Sequence, residues 1–120
     1  MKKNLTMAAL AVFLSATASA VETEVEVTGN AKAGESKVAM CIGCHGIAGY
    51  RTAFPEVYRV PMLGGQNAKY IQVALQGYKN GDRKYSTMHA LAASLSDQDM
   101  ADIAEYYAAQ KSSSPNNPDK

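Results

Sequence analysis

The 120-residue chain predicts an all-α fold on three observations. Apolar residues recur at helical spacing in two segments, one through Ile71, Ala74, Leu75 and Tyr78 and one through Met100, Ile103, Ala104 and Tyr107. Residues suited to N-capping stand before the helical segments. The stretch that alternates like a strand, VETEVEV at 21–27, finds no convincing partner strand later in the chain, and a strand without partners is not stable. It reads as an extended or flexible leader.

Taken in order, Asn30 or Thr28 can cap a first helix that runs through Val38 to about Ile42. Asn67 precedes the second helix, and Asn80-Gly81 ends it, glycine being suited to the left-handed residue that closes a helix. A short helical piece is expected from about Ala90 to Ser94. The last helix has the clearest start: Ser96 is the N-cap, Asp99 occupies the N3 position of a capping box, and Leu95 with Met100 can form a hydrophobic staple.

The flanks divide the chain further. Lys2 and Lys3 precede an apolar stretch from Leu5 to Leu14, and Ala18-Ser19-Ala20 has the small-x-small form of a cleavage site, so 1–20 reads as a signal peptide. Its apolar core of about ten residues is half of what a spanning helix needs. No cysteine stands at the cleavage point to suggest a lipid anchor. The leader also lacks the arginines of a mitochondrial transit peptide. The expected division is therefore 1–20 signal peptide, 21–29 leader, 30–111 one domain, and 112–120 a disordered tail, SSSPNNPDK being polar and proline-bearing. A domain of ~80 residues has a marginal core, and a buried prosthetic group would make up the deficit.

Charge says little about partners. The chain has 12 basic and 11 acidic residues, and loss of Lys2 and Lys3 tips it slightly acidic. Nucleic-acid binding asks for a clustered basic face, which is not visible.

One motif carries chemistry. Cys41, Cys44 and His45 stand in CIGCH, and Cys-x-x-Cys-His is the attachment pattern of c-type haem. Two cysteines three apart share one face of a helical turn, where their thiols can add to the two vinyl groups of one haem. His45, four positions after Cys41, lies on the same side and can reach the iron. A zinc site would want a second pair of ligands, and His89 is far from any such spacing. A thioredoxin-like pair would want a preceding strand, which is not visible. Export and haem attachment agree, since free thiols tend to pair outside the cytoplasm. The bacterial periplasm is the natural compartment.

Four runs, CIGCHG at 41–46, PMLGGQ at 61–66, YIQVALQGYKNGDR at 70–83 and TMHALAASLSDQDMADIAEYYA at 87–108, resemble the class I cytochrome c family, in particular its short exported bacterial monohaem members. The resemblance covers most of the mature chain and implies a small cytochrome c fold, with N- and C-terminal helices crossing around one covalently bound haem. It implies that Gly34 permits close approach of Tyr106 or Tyr107 at that crossing. It also implies that His45 and a methionine are the axial ligands, and that the Pro61 carbonyl accepts a hydrogen bond from the His45 ring.

Position sorts the candidates for the second ligand. Met40 adjoins Cys41 on the proximal side, Met100 falls on the apolar face of the last helix, and Met62 adjoins Pro61. Met88 stands where the family places its methionine, with His89 beside it as the rival. Tyr70, Tyr78, Tyr85 and Arg83 are candidates for the haem pocket, able to hydrogen-bond or neutralise propionates. The connection GYRTAFPEVYRVP at 49–61 is a cover for the haem or a docking surface, the first being favoured because aromatic residues supply much wall area.

The expected function is one-electron transfer in the periplasm between redox partner proteins. No small-molecule substrate is turned over, and membranes are met only through membrane-bound partners. The alternatives are a haem-bearing subunit of a larger oxidoreductase and, against the presence of Met88, a sensor or peroxidase with an open sixth position.

Overall fold

The computed structural model describes residues 26–111. The expected signal peptide at 1–20, most of the expected leader and the tail expected at 112–120 lie outside them. Side-chain caps set the starts of three of the five helices among the described residues. Asn30 accepts a hydrogen bond from the Ala33 amide and starts α1, Ala31–Glu35. Asn67 accepts from the Tyr70 amide and starts α3, Ala68–Asn80, which Gly81 closes at φ 85°. Ser96 and Asp99 form the reciprocal capping box that opens α5, Asp97–Ala108. Each cap satisfies amides that the first turn would otherwise leave without partners.

The first helix departs from expectation. Instead of one helix to Ile42, the chain forms α1 and then α2, Ala39–His45. The break is made at Ser36 and held from α5. In a continuous helix the Lys37 amide would bond the Ala33 carbonyl, but the Ser36 hydroxyl takes that carbonyl at 3.1 Å. The Lys37 amide turns to the Gly34 carbonyl, 2.8 Å away. Such back-bonding by serine competes with the helical ladder. The bend lets Lys37 reach Asp99 and Asp102 on α5, each at 2.7 Å, while Val38 enters the core, 1% exposed.

A second correction concerns α4, Ser86–Ala93. It begins four residues earlier than the piece expected at Ala90, so Met88 and His89 lie in its first turn. Its N-cap, Tyr85, makes no side-chain cap bond, which is why no local signal marked the start.

Two short strands interrupt the helical plan: β1, Arg51–Thr52, and β2, Tyr58–Arg59, pair antiparallel with Arg51 opposite Arg59 and Thr52 opposite Tyr58. The Val60 amide continues the pairing onto the Tyr50 carbonyl at 3.0 Å. This hairpin is fastened to the start of α4, where Thr52 Oγ1 lies 2.8 Å from the Tyr85 hydroxyl and the Tyr58 ring lies 5.1 Å from that of Tyr85.

The core forms around α5. Met100, Ile103, Ala104, Tyr106 and Tyr107 pack with Val38, Ile71 and Leu75, and Met88 and Leu95 lie against the cluster. Helix α1 crosses α5 with little space between the backbones. A methyl group at Gly34 would sit 2.2 Å from the Asp102 carbonyl oxygen and 2.8 Å from Tyr106 Cβ. Buried Asp102 ties the crossing together, accepting from the Asn30 amide at 2.8 Å, the Gln98 side chain at 2.9 Å and Lys37 at 2.7 Å. Burying a carboxylate is tolerable because it is paired and hydrogen-bonded.

Candidate functional site

Helix α2 presents Met40, Cys41, Cys44 and His45 from one short element. Its two thiols are free and partly buried. Burial, and to a lesser extent the neighbouring Cys44, raises the pKa of Cys41 above its ordinary value. Among the described residues no group of three or more His, Cys, Asp or Glu side chains is placed to hold a metal ion, so the second ligand pair of a zinc site is missing there.

His45 Nδ1 lies 2.7 Å from the Pro61 carbonyl oxygen. A carbonyl can only accept, so Nδ1 carries the proton and Nε2 keeps its lone pair. Burial lowers the pKa of His45 and the bond to Pro61 partly offsets this. A neutral imidazole with a fixed tautomer and a free Nε2 is the form in which histidine binds a metal.

Cys44 and His45 face a cleft whose walls come from four further segments. The hairpin and the residues after it contribute Thr52, Tyr58, Val60, Pro61, Met62 and Leu63. Helix α3 contributes Tyr70, Ile71, Ala74, Leu75 and Tyr78, and α4 contributes Thr87, Met88 and Leu91, with Arg83 and Tyr85 between them. The sequence alone did not single out Thr52, Tyr58, Val60, Leu63 or Leu91 as lining residues. The aromatic content of 49–61, read as a cover, was the signal for the hairpin. Leu91 lies one helical turn beyond Met88 and was reachable once α4 is drawn from Ser86.

Three methionines, Met40, Met62 and Met88, line the cleft, whereas Met100 is fully buried in the core. His89 is exposed and does not line it. Its Nδ1 lies 2.7 Å from the Tyr78 carbonyl oxygen. Tyr70, Tyr78 and Arg83 stand together along one wall. The Arg83 guanidinium is 4.9 Å from the centre of the Tyr78 ring, and hydrogen bonding to Tyr78, then to Tyr70, raises its pKa.

The donor set suits haem. Two thiols three apart can tether it, an imidazole and a thioether can ligate iron, the walls are mostly apolar, and a basic, tyrosine-bearing edge can receive carboxylates. The sequence matches the family profile described as cytochrome c over residues 31–110. The chain belongs to the cytochrome c family. Members of this family bind haem covalently and transfer electrons, and the cytochrome is an electron-transfer protein rather than a catalyst.

This cytochrome is 42% identical over 86 residues to cytochrome c-554(548) of Halomonas halodenitrificans, an alignment covering 69% of this chain and 99% of that one. It is 44% identical over 85 residues to cytochrome c4 of Pseudomonas aeruginosa, covering 71% of this chain and 40% of the relative. The crystal structure of reduced recombinant cytochrome c4 from Pseudomonas stutzeri superposes with a TM-score of 0.57 at 39% identity, over 70% of this chain and 47% of that one. The cytochrome thus spans less than half the length of the c4 proteins it resembles. The all-α class and the helix crossing at Gly34 stand as expected. The hairpin within 49–61 is structure that the sequence reading did not expect.

Proposed function

We propose that this cytochrome is a periplasmic one-electron carrier with a single haem, held by Cys41 and Cys44 and ligated by His45 and Met88. The observation that carries the reading is the shared cleft: His45 from α2 and Met88 from α4 line the same space. Met40 adjoins Cys41 on the same short helix as His45, which sets it aside. Met62 is joined to Pro61, whose carbonyl already holds the back of His45. His89 is exposed and does not line the cleft.

Bound haem supplies an iron that cycles between ferrous and ferric states. The chain does the rest. Cys41 and Cys44 form the two thioether links, and His45 offers Nε2 while Pro61 fixes its tautomer. Met88 supplies a soft thioether, which favours the ferrous state and raises the reduction potential. Val60, Leu63, Ile71, Leu75 and Leu91 would keep water from the cleft, and Tyr70, Tyr78 and Arg83 would receive the propionates. With His45 and Met88 both offered by the chain, a bound haem would need to lose no protein ligand during electron transfer. Export is supported by Lys2, Lys3, the Leu5 to Leu14 stretch and Ala18-Ser19-Ala20. The lone CIGCH motif in this sequence supports one haem.

Absorption spectra of the mature holoprotein test this. The ferric form is expected to be low-spin with the weak red-end band of methionine ligation, lost in Met88→Ala and retained in His89→Ala. High-spin ferric iron in the unmutated protein would sink the reading, and a low-spin ferric form that lacks the band and turns high-spin in His89→Ala but not in Met88→Ala would move the ligand to His89.

A further inference from the structure

The hairpin at 49–61 separates two kinds of side chain. Successive residues of a strand point to opposite faces. The cross-strand pair Thr52 and Tyr58 lines the cleft, so the adjacent pair, Arg51 and Arg59, is turned away from it. Both arginines are exposed. They stand directly opposite each other, a placement that is unfavourable for like charges. Neither makes an ion pair among the described residues, where the salt bridges fall on Lys32, Lys37, Lys69 and Lys79.

Beyond them the turn projects Phe54, 82% exposed, and Val57, 72% exposed, with Glu56 as its acidic residue. Large apolar side chains this exposed carry no part of the core. Yet the hairpin that carries them is anchored through Thr52 and Tyr58 to Tyr85, so its tip is presented from a fixed base. Aromatic and arginine side chains are the types enriched where proteins meet.

We infer that the Arg51, Phe54, Val57 and Arg59 face of the hairpin is the docking surface for an acidic redox partner protein, which seats carboxylates against the two arginines beside the wall of the cleft. The inference rests on the carrier reading and adds the chemistry of the partner. Partner carboxylates would relieve the repulsion between the arginines, and Phe54 and Val57 would supply the apolar contact. Because the charges are at the rim, the contact speeds encounter and weakens with salt. Both properties suit a carrier that must leave quickly.

Voltammetry of the holoprotein on a gold electrode coated with a mixed carboxylate- and methyl-terminated monolayer tests the surface with a defined acidic probe. At low ionic strength the wild type is expected to give a reversible wave that fades with added salt. Arg51→Gln with Arg59→Gln is expected to lower the adsorbed electroactive population roughly tenfold, an effect of the size electrostatic steering reaches, with an unchanged midpoint potential. Phe54→Ser is expected to lower it on the mixed surface and not on a pure carboxylate one. The charge-matched control, Lys32→Gln with Lys69→Gln, is expected to behave as wild type. Equal loss in that control would make net charge the cause and overturn the inference, as would wild-type behaviour of the arginine variant. A shifted midpoint potential in the arginine variant would place the hairpin's role in the cleft and also overturn it. No reversible wave from the wild type on any monolayer, with diffusing mediators or without, would overturn the carrier reading itself.

Discussion

Gly34→Ala is expected to lower the stability of the holoprotein by about 2–3 kcal/mol, at the upper end of what overpacking costs. The reason is backbone, not side chain. The new methyl would lie 2.2 Å from the Asp102 carbonyl oxygen, an atom fixed in the middle of α5 that cannot rotate away. Helix α1 must therefore lift from α5, and the contacts it carries weaken together. For a domain of this size such a loss corresponds to a fall in Tm on the order of 10–20 °C. Thermal unfolding followed by far-ultraviolet circular dichroism measures it. A fall of less than about 2 °C would mean that α1 moves aside freely and that the crossing is not tight.

Asp102→Asn is expected to cost about 2 kcal/mol at neutral pH, the scale of hydrogen bonds to a charged group. Asparagine keeps one acceptor oxygen for the Asn30 amide, but it sets an amide NH2 against the Lys37 ammonium where a carboxylate oxygen now lies 2.7 Å away. The variant also carries a pH signature. Lys37 holds the Asp102 carboxyl below its usual pKa, helped by Gln98 and the Asn30 amide. Asp99 is held well below its own, by Lys37 first and then by Ser96. A carboxyl that titrates lower when folded than when unfolded is protonated first in the unfolded chain. Its stabilisation is complete above the ordinary carboxylate pKa near 4 and drains away as pH falls through the folded value. Urea unfolding of wild type and Asp102→Asn should therefore differ most at pH 6–7, and the gap should narrow as the pH falls below about 4. A constant gap across that range would show that the loss is one of packing alone.

The legible parts of this fold are those whose cause is local. Asn67, Gly81 and the Ser96–Asp99 box each act within one turn, and the structure shows them where the sequence put them. Asn30 was equally readable as a cap. The break at Ser36 was not, because Ser36 wins the Ala33 carbonyl in a fold where Lys37 gains two carboxylates some 60 residues away. Asp102 shows the same limit: a charged residue two positions after Met100 reads as the wet side of α5, and only the crossing of α1 makes that side an interior. Two-residue strands are too short for their alternation to be seen, so the hairpin was legible as aromatic content and not as structure. At the site, the placement of Cys41, Cys44 and His45 on one short helix was legible because it follows from their spacing. The gathering of Tyr70, Tyr78 and Arg83 along one wall depends on how α3 and the segment after it pack.

The brevity of α1 has a consequence for how the molecule opens. Five residues are far fewer than the ~12–15 at which an isolated helix becomes even marginal in water. The hydrogen bond from the Gly34 amide to the Asn30 carbonyl therefore has no lifetime of its own. It persists only while α5 holds the Asn30 amide, Lys37 and the bare backbone of Gly34 against its side. Solvent reaches these amides when the contact between the two ends of the domain separates, and not by fraying from the nearer end. Exchange at the short first helix of the domain therefore reports a cooperative opening of the whole and not a local one.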